Sequence, residues 1–224
     1  MKHVVVCGDS FNIDDAEYPG IHWTSKLDNV KITNLSIQGA SNFVIRLQID
    51  QAIKLDPDLI IISFTSSIRT VIKYNKQVTT TLLDRIYRAG NNKNSFDLIS
   101  FPYAGAELYN ILDTYQLGVL KNYFTEFVDL DLLRYENYYL IKDALETLHQ
   151  SKINFSYSLG GFDHKMFCKQ SPFDFKKFKK YQTPINLWDH YTQQRTLRPW
   201  FHVVDADIQV QLVNYYKSII DKDD

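Results

Sequence analysis

Cysteine is scarce in this chain, with only Cys7 and Cys168 among 224 residues. One thiol in an apolar run and one in a polar stretch make neither a disulfide framework nor a zinc-binding spacing. A reducing compartment, and hence a cytoplasmic location, is the expectation. Charge of one sign is also lacking, since 25 Lys and Arg stand against 26 Asp and Glu for a formal net charge of −1. That balance supplies no global field for nucleic acid or an anionic membrane, so neither is expected as a partner. Nowhere does an unbroken apolar run approach the ~20 residues needed to span a bilayer. The opening Met1-Lys2-His3 leads at once into Val4-Val5-Val6-Cys7. That run is too short for a signal-peptide apolar region and has no cleavage pattern, so it reads as a strand. Repeats, low-complexity tracts and linker-like boundaries are missing too, which leaves a single domain over 1–224.

What the chain does have is enough apolar material for one continuous core, at 45% hydrophobic residues. Its 15 Tyr and 14 Phe are read as core and loop packing rather than as a sugar-stacking surface. Val4 to Val6 form a β-branched run ending at Gly8-Asp9-Ser10, the pattern of a buried strand entering a turn. Pro19-Gly20 interrupts the next segment, so any helix before Leu27 is confined to its later part. Val30 to Leu35 alternates as a second strand. After Gln38-Gly39-Ala40, either Ser41 or Asn42 is placed to cap a helix whose Ile45, Ile49, Ala52 and Ile53 share a face, ending near Asp56-Pro57. Leu59 to Phe64 is a continuous apolar run, as in a central parallel strand covered on both faces.

From Thr65 to Gly105, around Asn91-Asn92-Lys93-Asn94, loops and an irregular helix are expected as a loop-rich insertion. Ala106 to Gln150 reads as two helices broken near Gly118 or Asp129, and the alternation of Ile153, Phe155 and Tyr157 predicts another strand. A long loop is expected around 160–199. Within it, Phe173 to Lys180 mixes aromatic and basic residues and reads as a solvated face. A last helix begins near Asp205, with Ile208, Leu212, Tyr215 or Tyr216, and Ile219 on one side. Strands alternating with helices predict an α/β fold, a three-layer α/β/α sandwich around a mainly parallel sheet.

In such a sheet, ligands sit outside the carboxyl ends of the strands. Three loops should therefore converge: Gly8-Asp9-Ser10-Phe11-Asn12, Gln38-Gly39-Ala40-Ser41-Asn42 and Ser63-Phe64-Thr65-Ser66-Ser67. His202, just before the last helix, is placed to return to the same edge. A serine hydroxyl becomes a nucleophile when a histidine within hydrogen-bond reach takes its proton, which makes Ser10 and His202 the candidate pair. His164 and His190 each follow an aspartate, but no second ligand stands at a fixed metal-binding spacing, so no metal is expected. No cofactor is expected either. Gly8 lacks the further glycines of a dinucleotide-binding loop, and Asn12 stands where an α/β-hydrolase elbow needs glycine.

Gly8-Asp9-Ser10-Phe11 after the first strand resembles the first motif of the SGNH/GDSL hydrolase family. Asn34 to Ser41 is similar to that family's second block, Asp58 to Phe64 to the strand before its third, and His202 with the terminal helix to its fifth. The resemblance spans nearly the whole chain and implies a flavodoxin-like fold and a serine esterase or deacetylase. The implied substrate is a small acyl ester, such as an acetylated carbohydrate. It also nominates the backbone N–H groups of Ser10 and Gly39 as oxyanion donors.

The chain departs from the family pattern twice. The third-block asparagine, a further oxyanion donor, is replaced by Thr65-Ser66-Ser67, which leaves the hydroxyl of Thr65 or Ser66, or Asn42 from the second loop, as substitutes. The aspartate three residues before the histidine is replaced by Pro199, which leaves Asp189, Asp205 or a backbone carbonyl to orient the imidazole. These departures give the alternative reading, a catalytically weakened protein of the same fold that binds a glycan or a protein partner. In residue choice and in its third loop the chain also resembles SGNH-like proteins of tailed bacteriophages, which implies a host cytoplasm or a virion.

Overall fold

A computed structural model describes residues 1–14, 20, 22–37, 39–67, 69–73, 98–101, 114–162, 173–194 and 206–221. His164, Cys168, Pro199, His202, Asp205 and the Asn91 to Asn94 stretch lie outside these residues. The fold is α/β. Its centre is a four-stranded sheet in the order β2-β1-β3-β6, formed by β1 (Lys2–Cys7), β2 (Val30–Asn34), β3 (Leu59–Ser63) and β6 (Asn154–Ser158). All three pairings are parallel, with Val4 opposite both Ile32 and Leu59, and Ile61 opposite Ser156.

Alternation along β1 explains the layering. Val5 and Cys7 face one side of the sheet, while Val4 and Val6 face the other. On the first side they meet Val44, Ile45 and Ile49 of α1 (Asn42–Lys54) and Ile141, Leu145 and Leu148 of α3 (Leu130–Ser151). On the second side they meet Trp23, Leu187 and Trp188, and Leu212, Val213 and Tyr216 of α5 (Ala206–Ile220). The result is a three-layer α/β/α sandwich. β1 and β3 are buried on both faces, which is why they read as unbroken apolar runs.

Local chemistry sets several boundaries. Ser41 is the N-cap of α1, its hydroxyl accepting from Val44 N at 3.4 Å. The helical stretch breaks at Asp129 rather than Gly118: α2 (Thr114–Glu126) contains Gly118, and the Asp129 carboxylate caps α3 by accepting from the N–H groups of Asp131 and Leu132. The later-part helix before Leu27 is a short 3-10 turn, Trp23–Lys26. On α5 the buried face is Gln209, Leu212, Val213, Tyr216 and Ile220; Ile208, Tyr215 and Ile219 flank it half-buried.

Two stretches differ from expectation. Within 65–105, β4 (Thr70–Lys73) and β5 (Leu98–Phe101) pair antiparallel. Their partners are distant in sequence, so no short-window period reveals them. Within 160–199, a 3-10 helix (Lys176–Tyr181) and α4 (Leu187–Gln194) are formed. In the first of these the lysines stay outside while Phe178 is buried and Phe173 stacks on Tyr138, so the basic residues form a solvated face over an aromatic underside. Among the described residues no helix is long and apolar enough to cross a membrane.

Gly160, just past β6, lies against the backbone where β3 runs into its loop. Its φ is +55°, and a Cβ there would sit 1.8 Å from the Phe64 carbonyl oxygen. Gly160→Ala is expected to cost about 3 kcal/mol or more through combined strain and clash, read as a lowered urea midpoint at unchanged slope.

Candidate active site

In the order β2-β1-β3-β6 the chain leaves β1 on one side and returns on the other, so the reversal point lies between β1 and β3. Ser10 follows β1 at that point, at the start of a buried 3-10 turn, Ser10–Asn12. Backbone accounting for the turn is nearly complete. Asp9 Oδ1 accepts from Phe11 N at 3.0 Å, Asp9 O accepts from Asn12 N at 3.1 Å, and Ser10 O accepts from Ile13 N at 3.3 Å. The second loop is laid against the first by a bond from Ile37 N to Gly8 O of 3.1 Å, and it turns with Ala40 N donating to Ile37 O at 3.0 Å. Gly39 has φ +73°, which glycine adopts without strain. Among the described residues, the N–H groups of Ser10 and Gly39 have no acceptor.

Asp9 is almost wholly buried, and its carboxylate carries the heaviest load in the site. Oδ2 accepts from Arg69 Nη1 and from Thr65 Oγ1, each at 2.8 Å. The same Arg69 Nη1 donates to Ala40 O at 3.3 Å, and Arg69 N donates to Ser66 O at 3.2 Å. Sequence reading passed over Arg69, because a single arginine after a serine-rich turn carries no periodic or motif signal.

Thr65 and Asn42, the proposed substitutes for the third donor, are brought to the site but are engaged elsewhere. The Thr65 hydroxyl hydrogen goes to Asp9. Asn42 Oδ1 accepts from Thr65 N at 2.8 Å, and its Nδ2 donates to Thr65 O at 3.0 Å and Asn137 Oδ1 at 2.8 Å. Asn137 in turn donates to Ser67 O at 3.0 Å. The two amides thus pin the third loop to α1 and α3, and neither Nδ2 hydrogen of Asn42 remains for a substrate oxygen. Ser66 is buried in the same loop. Below the turn, Gln48 clamps Gly8 through both backbone groups, N to Oε1 at 2.7 Å and Nε2 to O at 3.2 Å. Asn12 lies so close that a Cβ on Gly8 would meet its Nδ2 at 2.3 Å.

His22 is a second residue that sequence reading missed. It is buried, with Nε2 2.8 Å from Phe11 O and Nδ1 2.7 Å from Thr24 Oγ1. A carbonyl only accepts, so Nε2 bears the hydrogen and Nδ1 accepts from Thr24. Nε2 thus holds the Ser10 turn, while Nδ1 is engaged by Thr24 in the following 3-10 turn. Burial pushes the imidazole below its ordinary pKa, against the opposing pull of the Phe11 carbonyl and Asp14. Cys7 is buried in the core, and desolvation raises its thiol far above the ordinary range, so it is inert. Asp189 lies half-buried on α4, next to Trp188, whose ring packs on Phe11 at 5.5 Å. His202 and Asp205 are outside the described residues.

No family model and no curated protein matches the chain. Among solved structures, the acetyl xylan esterase AlAXEase is similar to it at 9% identity and a TM-score of 0.36, over 70% of this chain and 58% of that one. The chain therefore spans less than two thirds of that esterase. A likeness this distant says nothing about chemistry.

Two outcomes follow from this geometry. Asn42→Ala strands the backbone groups of Thr65 and the Asn137 amide, and is expected to destabilise the fold by about 2–4 kcal/mol in denaturant titration. His22 resists protonation when folded, so the unfolded chain binds more protons below the ordinary imidazole pKa. The contribution of His22 is fully present above about pH 6.5 and is lost as pH drops from there. In His22→Gln, whose amide still donates to Phe11 O, the dependence of unfolding free energy on pH between about 7 and 5 is expected to flatten.

Proposed function

We propose that the protein is a serine hydrolase of the SGNH type that cleaves small acyl esters. The observation that carries this reading is the pair of N–H groups, on Ser10 and Gly39, that have no acceptor among the described residues and stand on adjoining loops after β1 and β2. Donors fixed where negative charge develops are the main electrostatic element of acyl transfer, each typically contributing about 2.7–4 kcal/mol.

In the proposed reaction, Ser10 Oγ attacks the ester carbonyl carbon while its proton passes to the imidazole of His202. The carbonyl π electrons move to oxygen, which is held by the N–H groups of Ser10 and Gly39. Collapse of the tetrahedral intermediate expels the alcohol, which takes the proton from the imidazolium and leaves an acyl-serine. Water then repeats the sequence, releasing the acid and restoring Ser10. Asp189, Asp205 or a backbone carbonyl orients the imidazole. Acetate on a carbohydrate is the proposed substrate class. A second reading, a weakened member of this fold that binds a glycan or a protein, is favoured by the engagement of Thr65 and Asn42, which leaves the oxyanion without a side-chain donor from either.

A fluorophosphonate probe is expected to label Ser10. Ser10→Ala should abolish labelling and lower turnover of a short-chain nitrophenyl ester by on the order of 10,000-fold. Labelling that survives in Ser10→Ala would remove the assignment. No hydrolysis across an acyl-ester panel, with glycan affinity unchanged in Ser10→Ala, would establish the second reading instead.

A further inference from the structure

We propose that Arg69 is a positioning residue for ester hydrolysis, one guanidinium setting the separation of the two oxyanion donors. The inference rests on the hydrolase reading above and goes beyond it, since it assigns a role to a side chain that acts through the neighbours of the two donors. Asp9 immediately precedes Ser10, and Ala40 immediately follows Gly39. Arg69 Nη1 reaches both neighbours, Asp9 Oδ2 at 2.8 Å and Ala40 O at 3.3 Å. Its own backbone is anchored to the third loop through Ser66 O. All three loops are therefore indexed to one planar cation whose side chain is only 5% exposed.

A Cβ built on Gly39 meets no atom of the described residues within 4 Å, whereas its neighbour Ala40 is held by hydrogen bonds at both N and O. Guanidinium suits the task because its donors leave in a fixed plane, whereas an ammonium rotates freely about its stem. With Thr65 and Asn42 engaged elsewhere, more of the oxyanion's stabilisation falls to the two backbone donors, and an error of about 1 Å in their spacing costs up to about 100-fold in rate.

Arg69→Met strands the buried Asp9 without a counter-charge, and loss of folding there would say nothing about positioning. The informative variants are Arg69→Lys, which keeps the charge, and the double variant Asp9→Asn/Arg69→Gln, which keeps a hydrogen bond without charge and serves if the lysine variant does not fold. Purified full-length proteins are compared for thermal midpoint, nitrophenyl ester kinetics and inhibition by a short alkyl boronic acid, a mimic of the tetrahedral intermediate. The expected result for Arg69→Lys is a folded protein with kcat lowered about 10- to 100-fold and KM within about 3-fold. Boronic acid affinity should fall in step with kcat, because both report the oxyanion geometry. A lowered midpoint with unchanged kcat, or a raised KM with unchanged kcat, overturns the positioning role and leaves the hydrolase reading standing. Wild-type protein with no Ser10-dependent labelling or turnover overturns both.

Discussion

The buried carboxylate of Asp9 is the constraint around which the rest of the site is arranged. A lone carboxylate taken out of water is costly, and the cost is offset only when a counter-charge and further donors surround it. Here Arg69, the Thr65 hydroxyl and the Phe11 N–H supply them. Removing one partner of such a pair typically costs about 3–5 kcal/mol, more than an average substitution. The carboxylate thus holds the loops after β1 and β3 together, and its partner Arg69, which also donates to Ala40 O, ties in the loop after β2.

Around this centre the polar interior has little slack. Asn42 and Asn137 satisfy each other and the third loop, Gln48 satisfies Gly8, and His22 satisfies Phe11. Individually such bonds contribute about 1 kcal/mol net, but leaving a buried group unmade costs about 1–3 kcal/mol. Disruption at one point therefore leaves several groups stranded, and the network specifies one loop arrangement more than it adds stability. The acyl transfer proposed above relies on that rigidity, since donors that must reorganise during reaction lose much of their effect.

The apolar layers support the same end. Val4 to Cys7 of β1 and all of β3 are buried between the two clusters, so the strand ends that lead to Ser10 and Thr65 are packed on both faces. Trp188 against Phe11, and Trp23 against Tyr216, brace the turn on the α5 side. Gly160 allows the backbone after β6 to approach Phe64 closely enough to finish that edge.

The sequence by itself determined the α/β class, the strands at Val4, Val30, Leu59 and Phe155, a helix cap at Ser41 or Asn42 and the turn bearing Ser10, because each is written in neighbouring residues as a period, a cap or a turn. Chain order also placed Gly39 near Ser10, since a parallel sheet gathers successive loops at one end. Tertiary structure alone decided how the polar side chains are paired. Thr65 and Asn42 look from composition like spare donors, yet Asp9 and Asn137 have first use of them. The β4–β5 pairing and the roles of Arg69 and His22 were likewise invisible, because hydrogen bonds between residues distant in sequence obey geometry, and no local pattern of letters encodes it.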